Sequence, residues 1–343
     1  MSLRVPGRRV RRALVPLLMA AELALAALFV VVAAIGVMVW PFTRRRRLLR
    51  LSCFGAVHMA VELAALTVCG WYWIRMVVGR RQGDWWVDAH NTLLSWALTV
   101  IVRAGRLLLG FEVQLTEPPD TLPLTGDRPA LVLARHGGLG DSFALVQLLL
   151  ARYHRRVRIV VKELLALDPA LDVLLHRLDC VFVPGGTNIG LTSKLAAVAT
   201  GLGSRDALLL FPEGGNWTPR RLESAIRRLR RRAPARQIRM AEGLEYVLPP
   251  RAGGVLTCLS ARPDLDIVFV AHTGLEELLT PTQVWAHLPL DTPMSVRWWT
   301  AGSRPPLHDS RAAEDWLALE WAVIDEWIGS QAERGRRLDP ADS

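Results

Sequence analysis

ALVLARHGGLGDSFALVQLLL, residues 130–150, passes from a strand pattern to a helix pattern across a glycine-rich turn. Its first five residues form a short apolar run and predict a buried strand. Residues 142–150 carry apolar positions at helical spacing and predict a helix. His136 and Asp141 lie on the turn between them, joined by Gly137, Gly138, Leu139 and Gly140. Rigid elements on both sides of such a turn can hold two side chains against an open surface. Glycines there let the backbone approach a ligand closely. An imidazole oriented by a carboxylate is suited to take a proton from a hydroxyl near neutral pH. Each member also has a plainer reading, His136 as a satisfied core residue and Asp141 as a helix N-cap.

The pattern continues on both sides. Short apolar runs at 128–134, 156–161, 180–184, 206–211, 245–249, 266–271 and 294–299 predict strands. Helices are predicted near 142–153, 163–178, 189–203, 219–232 and 311–330. Alternation of this kind predicts an α/β domain with a mostly parallel sheet flanked by helices. Ligands of such sheets bind beyond the carboxyl ends of the strands, where His136 and Glu213 both fall. Glu213 follows the run ALLLFP and precedes Gly214 and Gly215. It can hold a hydroxyl, orient a backbone, or simply pair with Arg220 or Arg221.

Ahead of this domain the chain is apolar. Residues 13–40 contain one ionisable side chain, Glu22, and residues 51–74 contain only His58 and Glu62 before Ile74. Each stretch meets the roughly 20 residues needed to cross a hydrocarbon core. The first is too long for the apolar region of a signal peptide, and the second follows at once. They predict a retained membrane hairpin, either spanning or dipping into one leaflet. Glu22 and Glu62 are costly at mid-membrane and should face protein or the interface. Arginines precede, separate and follow the two stretches, and their distribution favours both ends in the cytoplasm. Residues 85–110 open with Trp85 and Trp86 and predict an interfacial or packing helix. The expected division is 1–82 for the basic N-terminus and membrane helices, 83–110 for that helix, 111–330 for the α/β domain and 331–343 for a polar tail.

A net charge of +10 suggests an anionic partner. Lys162 and Lys194 are the only lysines, so arginine-rich coding bias accounts for part of it. The arginines of 220–239 lack interleaved aromatics, which argues against nucleic acid and for anionic lipid headgroups or a solvated helix. The four cysteines have no CxxC spacing and read as reduced apolar residues, with no metal expected. GGTNIGLTSK, residues 185–194, resembles a phosphate loop but lacks the Gly-Lys-Ser/Thr ending and reads as a loop entering a helix.

Together these blocks resemble the lysophosphatidic acid acyltransferase family, the 1-acyl-sn-glycerol-3-phosphate acyltransferases. HGGLGD, 136–141, matches the family's HX4D motif, and FPEGGNWT, 211–218, its FPEG block. VKELLALDP looks like the family's lysine followed by a helix. EYVLPPRAGG is similar to the late proline block in the lysocardiolipin and AGPAT-like branch. The blocks stand in the family's order over roughly 90–300. There are departures. Arg135 stands where the family usually has asparagine or serine. Gly215 and Asn216 stand where many members have threonine and a phosphate-binding arginine. CVFVPGG lacks the arginine often found after its strand.

The resemblance implies a glycerol-3-phosphate acyltransferase-like fold and a membrane-bound enzyme with its catalytic domain on the cytoplasmic face. The implied reaction moves a fatty acyl group from acyl-CoA or acyl carrier protein to the free hydroxyl of 1-acyl-sn-glycerol-3-phosphate, in phospholipid biosynthesis. His136 is the expected general base and Asp141 its orienting carboxylate. No serine or cysteine stands in a nucleophile motif, so direct transfer without an acyl-enzyme is expected. Gly138 and Gly140 are candidate oxyanion donors. Glu213, Gly214, Lys162, Arg220, Arg221 and Arg251 are candidate substrate-binding residues. No cofactor, metal or nucleic-acid partner is expected, beyond the thioester donor, the lysophospholipid acceptor and membrane lipids. Two other readings stay open: another lysophospholipid or glycolipid acceptor, and a catalytically silent lipid-binding protein.

Overall fold

The computed structural model describes residues 5–43, 46–79, 83–116, 124, 126–138, 140–184, 190–276, 278 and 280–338. Residues 185–189 of the phosphate-loop-like stretch, Arg44, Arg45, Arg80 and Arg81 of the basic clusters, Leu139, and 339–343 of the expected tail lie outside the described residues. In chain order the helices are α1 (Arg8–Thr43), α2 (Arg47–Gly79), α3 (Asp84–Ala104), α4 (Asp141–Gln147), α5 (Pro169–Arg177), α6 (Leu191–Thr200), α7 (Pro219–Leu229), α8 (Ala235–Glu242), α9 (Ala252–Ala261), α10 (Pro281–Ala286) and α11 (Ser310–Leu338). The strands are β1 (Val113–Leu115), β2 (Ala130–Ala134), β3 (Arg156–Lys162), β4 (Val181–Val183), β5 (Asp206–Leu210), β6 (Asp266–Thr273) and β7 (Met294–Thr300). The result is a mostly parallel α/β fold. The chain divides into two compact units, one of 1–112, 143–189 and 281–293, the other of 113–142, 190–280 and 294–343.

In the second unit five strands lie in the order β1-β7-β6-β2-β5. β2 runs parallel to β5 and β6, and β1 parallel to β7. The β6–β7 pair is antiparallel. Every residue of β2 and β5 is buried, which fits their unbroken apolar sequences. Register aligns Leu133 with Leu210 and Ala134 with Val270, so β2 and β5 end nearly level, while β6 continues to Thr273. Residues 135–136 and 211–213 therefore emerge together, beside the last residues of β6, 271–273. On α11, Trp316, Leu317, Trp321, Ile324 and Trp327 form a buried stripe. Phe269 of β6 meets the Trp316 and Trp321 rings at 5.8 and 6.5 Å between centroids. That stripe explains the helical tryptophan spacing, and the helix continues to Leu338.

The first unit pairs β3 with β4 in parallel and packs α2 against α1, α3 and α5. α1, α2 and α3, the last with the π-helical turn Gly105–Leu109, are long and apolar enough to cross a membrane. α1 leaves Leu17, Leu23, Val30 and Met38 exposed. Glu22 and Glu62 are instead buried inside the protein, as their charge demands. α2 is bonded to this unit along its length: Arg47 Nε donates to Leu288 O (2.8 Å), Arg50 Nη1 to Leu108 O (3.3 Å), and Cys69 O accepts from Arg177 Nη1 (2.8 Å).

Two expected elements differ. Residues 245–249 form no strand, because the backbone N–H groups of Glu245, Tyr246 and Val247 all donate to the Asp325 carboxylate. Pro249 and Pro250 follow and have no N–H to offer a ladder. The helix predicted over 163–178 is broken in two. Glu163–Leu167 is a 3-10 turn, and α5 restarts at Pro169, with Asp168 Oδ1 capping Leu171 N at 2.8 Å.

Candidate active site

β2 and α4 hold His136 and Asp141 as expected from their turn. His136 Nδ1 lies 2.7 Å from Asp141 Oδ2. A carboxylate only accepts, so Nδ1 carries the proton and Nε2 is the basic nitrogen. The His136 side chain is 19% exposed and Asp141 1%. Asp141 Oδ2 also accepts from Gly137 N (2.9 Å) and Gly138 N (3.3 Å), while Oδ1 accepts from Ser142 N and Oγ. Burial alone would raise this carboxyl. The bond from His136, the neighbouring His272 and the Gly138 N–H outweigh it and hold the pKa at about 2. Asp141 is thus the first residue of α4 and a charged partner of His136 at once.

This turn corrects one expectation. Gly138 was expected as an oxyanion donor, but its N–H is directed at Asp141. A Cβ on Gly138 would stand 2.1 Å from Leu275 O, so the backbones are in direct contact there. Gly140, at φ 91° and partly exposed, is the remaining candidate on the turn.

The FPEG block is built onto the same corner. The Phe211 ring lies 4.9 Å from that of His136, and Trp217 N donates to His136 O at 2.8 Å. Glu213 points inward. Its side chain is buried, and Oε1 accepts from Trp321 Nε1 of α11 at 3.2 Å. Burial pushes its carboxyl up to about 8, against the charge of Arg135, the Trp321 indole and the backbone N–H groups of His136 and Leu248. Glu213 is therefore a neutral acid at pH 7 that braces backbone. It is not paired with Arg220 or Arg221, and it reaches no open surface where a ligand could touch it.

The open side of this corner is basic. Gly214 is exposed, with φ 71°, and the Arg251 guanidinium lies 3.2 Å from where its Cβ would be. Arg221 Nη1 stands 3.4 Å from the equivalent point on Gly215 and donates to Asn216 O at 2.9 Å. Arg220 is exposed on the first turn of α7. Lys162 ends β3 in the other unit, with its side chain exposed. Among the described residues no group of three or more His, Cys, Asp and Glu side chains is arranged to hold a metal ion.

Sequence reasoning missed four residues near the base. Arg135 is fully buried and donates to His272 O (2.7 Å), Glu276 Oε1 (2.5 Å) and Tyr246 O (3.1 Å). His272, Glu276 and Trp321 complete the set. The signal available was Arg135 itself, an unusual residue beside a motif.

Residues 113–268, which contain both motifs, match the family model described as Acyltransferase. No curated protein matches the chain. A similar solved structure is the 1-acyl-sn-glycerophosphate (LPA) acyltransferase PlsC from Thermotoga maritima. It is 15% identical, with a TM-score of 0.47, over 81% of this chain and 96% of that one.

Proposed function

We propose a specific reaction for the chain, starting from the match of residues 113–268 to the Acyltransferase family model. It moves a fatty acyl group from an acyl thioester, carried by coenzyme A or acyl carrier protein, to 1-acyl-sn-glycerol-3-phosphate, giving phosphatidic acid. The observation that carries this reading is the 2.7 Å bond that fixes His136 with Nε2 as its base. Nε2 takes the proton of the acceptor hydroxyl as the oxygen attacks the thioester carbonyl. Asp141 stabilises the imidazolium without itself taking the proton, as the carboxylate does in hydrolase triads. Gly140 N–H is our candidate donor to the tetrahedral oxyanion. Collapse expels the thiolate, which recovers the proton from His136. Cys180 and Cys258 are poor nucleophiles here, since burial pushes both thiols up to about 12.

The acceptor phosphate is assigned to Arg251 and Arg221 over Gly214 and Gly215, with Arg220 as a further contact. Guanidinium groups suit phosphate because they donate in a planar fork. The first unit supplies membrane attachment, through the exposed apolar residues of α1. The bonds from Arg47 to Cys69 run along roughly 33 Å of α2, at about 1.5 Å per residue. A bilayer core is about 30 Å thick, so these bonds favour a hairpin lying in one leaflet, the cytoplasmic one.

The test is transfer of labelled acyl groups from acyl-CoA and acyl carrier protein by the purified full chain, with a panel of lyso-acceptors. Fastest turnover of 1-acyl-sn-glycerol-3-phosphate is expected. A faster lysophospholipid or glycolipid would replace the acceptor, and no transfer from either donor would overturn the reading.

A further inference from the structure

Behind the His136–Asp141 pair stands a second histidine that acyl transfer does not require. His272 is on β6, fully buried. Its Nε2 lies 3.1 Å from Arg135 O and 3.7 Å from Asp141 Oδ2. Both are acceptors, so Nε2 carries the proton. Nδ1 is then a bare acceptor, buried with no hydrogen-bond partner among the described residues. An imidazole kept in the core with half its capacity unused is retained for the half that is used.

The surroundings show what that half does. Arg135 O belongs to the residue before His136, at the end of β2. His272 holds that carbonyl from the neighbouring strand, while its own carbonyl accepts from Arg135 Nη1. The two residues thus clasp each other across the β2–β6 pair. Between them lies Gly137, where a Cβ would meet His272 Cε1 and Arg135 Cζ at 3.0 Å each. Gly137 N is one of the donors that fix Asp141. The clasp therefore sets both the exit of His136 from the sheet and the N–H groups that aim the carboxylate.

Arg135 brings a positive charge into this layer, and Glu276 offsets it. Glu276 Oε1 pairs with Arg135 Nη1, and Oε2 accepts from Gly274 N at 2.7 Å. Burial and the charge of Arg135 keep His272 neutral, against the pull of Asp141 and Glu276. Of the two imidazoles, His136 is the one within 2.7 Å of Asp141.

We propose that His272 is a positioning residue for the reaction: its Nε2–H ties the β2 end to β6 and faces Asp141, holding the His136–Asp141 pair in register. The inference rests on the acyl-transfer reading, with Arg135 and Glu276 as its support.

Two variants and two readouts test it. Gln keeps a donor where Nε2 stands, whereas Phe keeps the ring volume and loses the donor. His272→Phe is expected to lower kcat by about 100-fold with both KM values little changed, since small misplacements near the chemistry cost about that much. His272→Gln is expected to restore most of it. Independently of turnover, the proton of the 2.7 Å His136–Asp141 bond should give a resonance far downfield of the amides. It should persist in His272→Gln and vanish in His272→Phe and Asp141→Ala. A sharp, unshifted resonance and near-normal kcat in a folded His272→Phe would overturn the proposal. So would equal losses in the Phe and Gln variants. Resonances that behave as stated in a protein with no transfer activity would sink the acyl-transfer reading and leave the clasp standing.

Discussion

The turns after β2 and β5 each carry one buried carboxyl, and the two have opposite fates. Asp141 is held at about 2 and Glu213 is pushed up to about 8. Burial is common to both, so burial does not decide. Donors do. Asp141 accepts from His136, two glycine N–H groups and Ser142, whereas Glu213 has one indole bond and weaker help from two backbone N–H groups. A carboxyl surrounded by N–H groups becomes a charge that can stabilise an imidazolium. One facing mostly apolar matter becomes a neutral strut. The two acidic motif positions, Asp141 and Glu213, thus differ in kind.

Amide substitutions sharpen that difference, because an amide mimics a neutral carboxyl and not a carboxylate. Asp141→Asn is expected to have the largest effect, a drop in kcat of about 10³–10⁴-fold, since the imidazole loses its tautomer and its counter-charge. It should also remove the stability that wild type loses as pH falls from about 4 through 2, because only the folded state depresses this pKa. Rates for a folded protein would settle it, and a loss below tenfold would return Asp141 to a plain helix cap.

On the open side of the second turn, Arg251→Ala should raise the acceptor KM by about tenfold, or about 1.4 kcal/mol, with smaller change in kcat. Unchanged acceptor kinetics would move the phosphate toward Lys162 and Arg220, which the same assay on Lys162→Ala and Arg220→Ala can compare.

Glu213→Gln should have the smallest effect, within a few-fold of wild-type turnover, because the amide oxygen can keep the Trp321 bond. Its signature is in stability. The folded pKa is raised, so wild type has full stability from this group below about 4.5 and loses it as pH rises toward 8, by up to about 1.4 kcal/mol per pH unit. The Gln variant should lose none of this in melting curves between pH 5 and 8. An activity loss as severe as that of Asp141→Asn would collapse the distinction between the turns.

Local signals account for what was readable. The β2–turn–α4 corner, β5 and its motif, and the apolar N-terminal helices each rest on contiguous spacing or composition, so a single stretch sufficed. What escaped depends on partners far along the chain. Residues 245–249 have an apolar run fit for a strand, and only Asp325, on the last helix, draws their N–H groups away. The inward turn of Glu213 depends on Trp321, 108 residues further along the chain. Gly138 has the freedom expected of an oxyanion donor, but Asp141 three residues on claims its N–H. Arg135 was visible as an odd neighbour of His136. Its three acceptors on 246, 272 and 276 were not, because nothing local pairs them.

The brace from α11 also bears on how the chain matures. Trp321 is 108 residues downstream of Glu213. At about 5–20 residues per second, a ribosome needs roughly 5–20 s to reach it after Glu213 is made. The apolar N-terminal helices emerge long before. During that interval the corner holding His136 has its own turn but neither the indole under Glu213 nor the carboxylate under Tyr246. The corner holding His136 is therefore fully buttressed only once α11 has been made, and α11 acts as a late-arriving keystone for it.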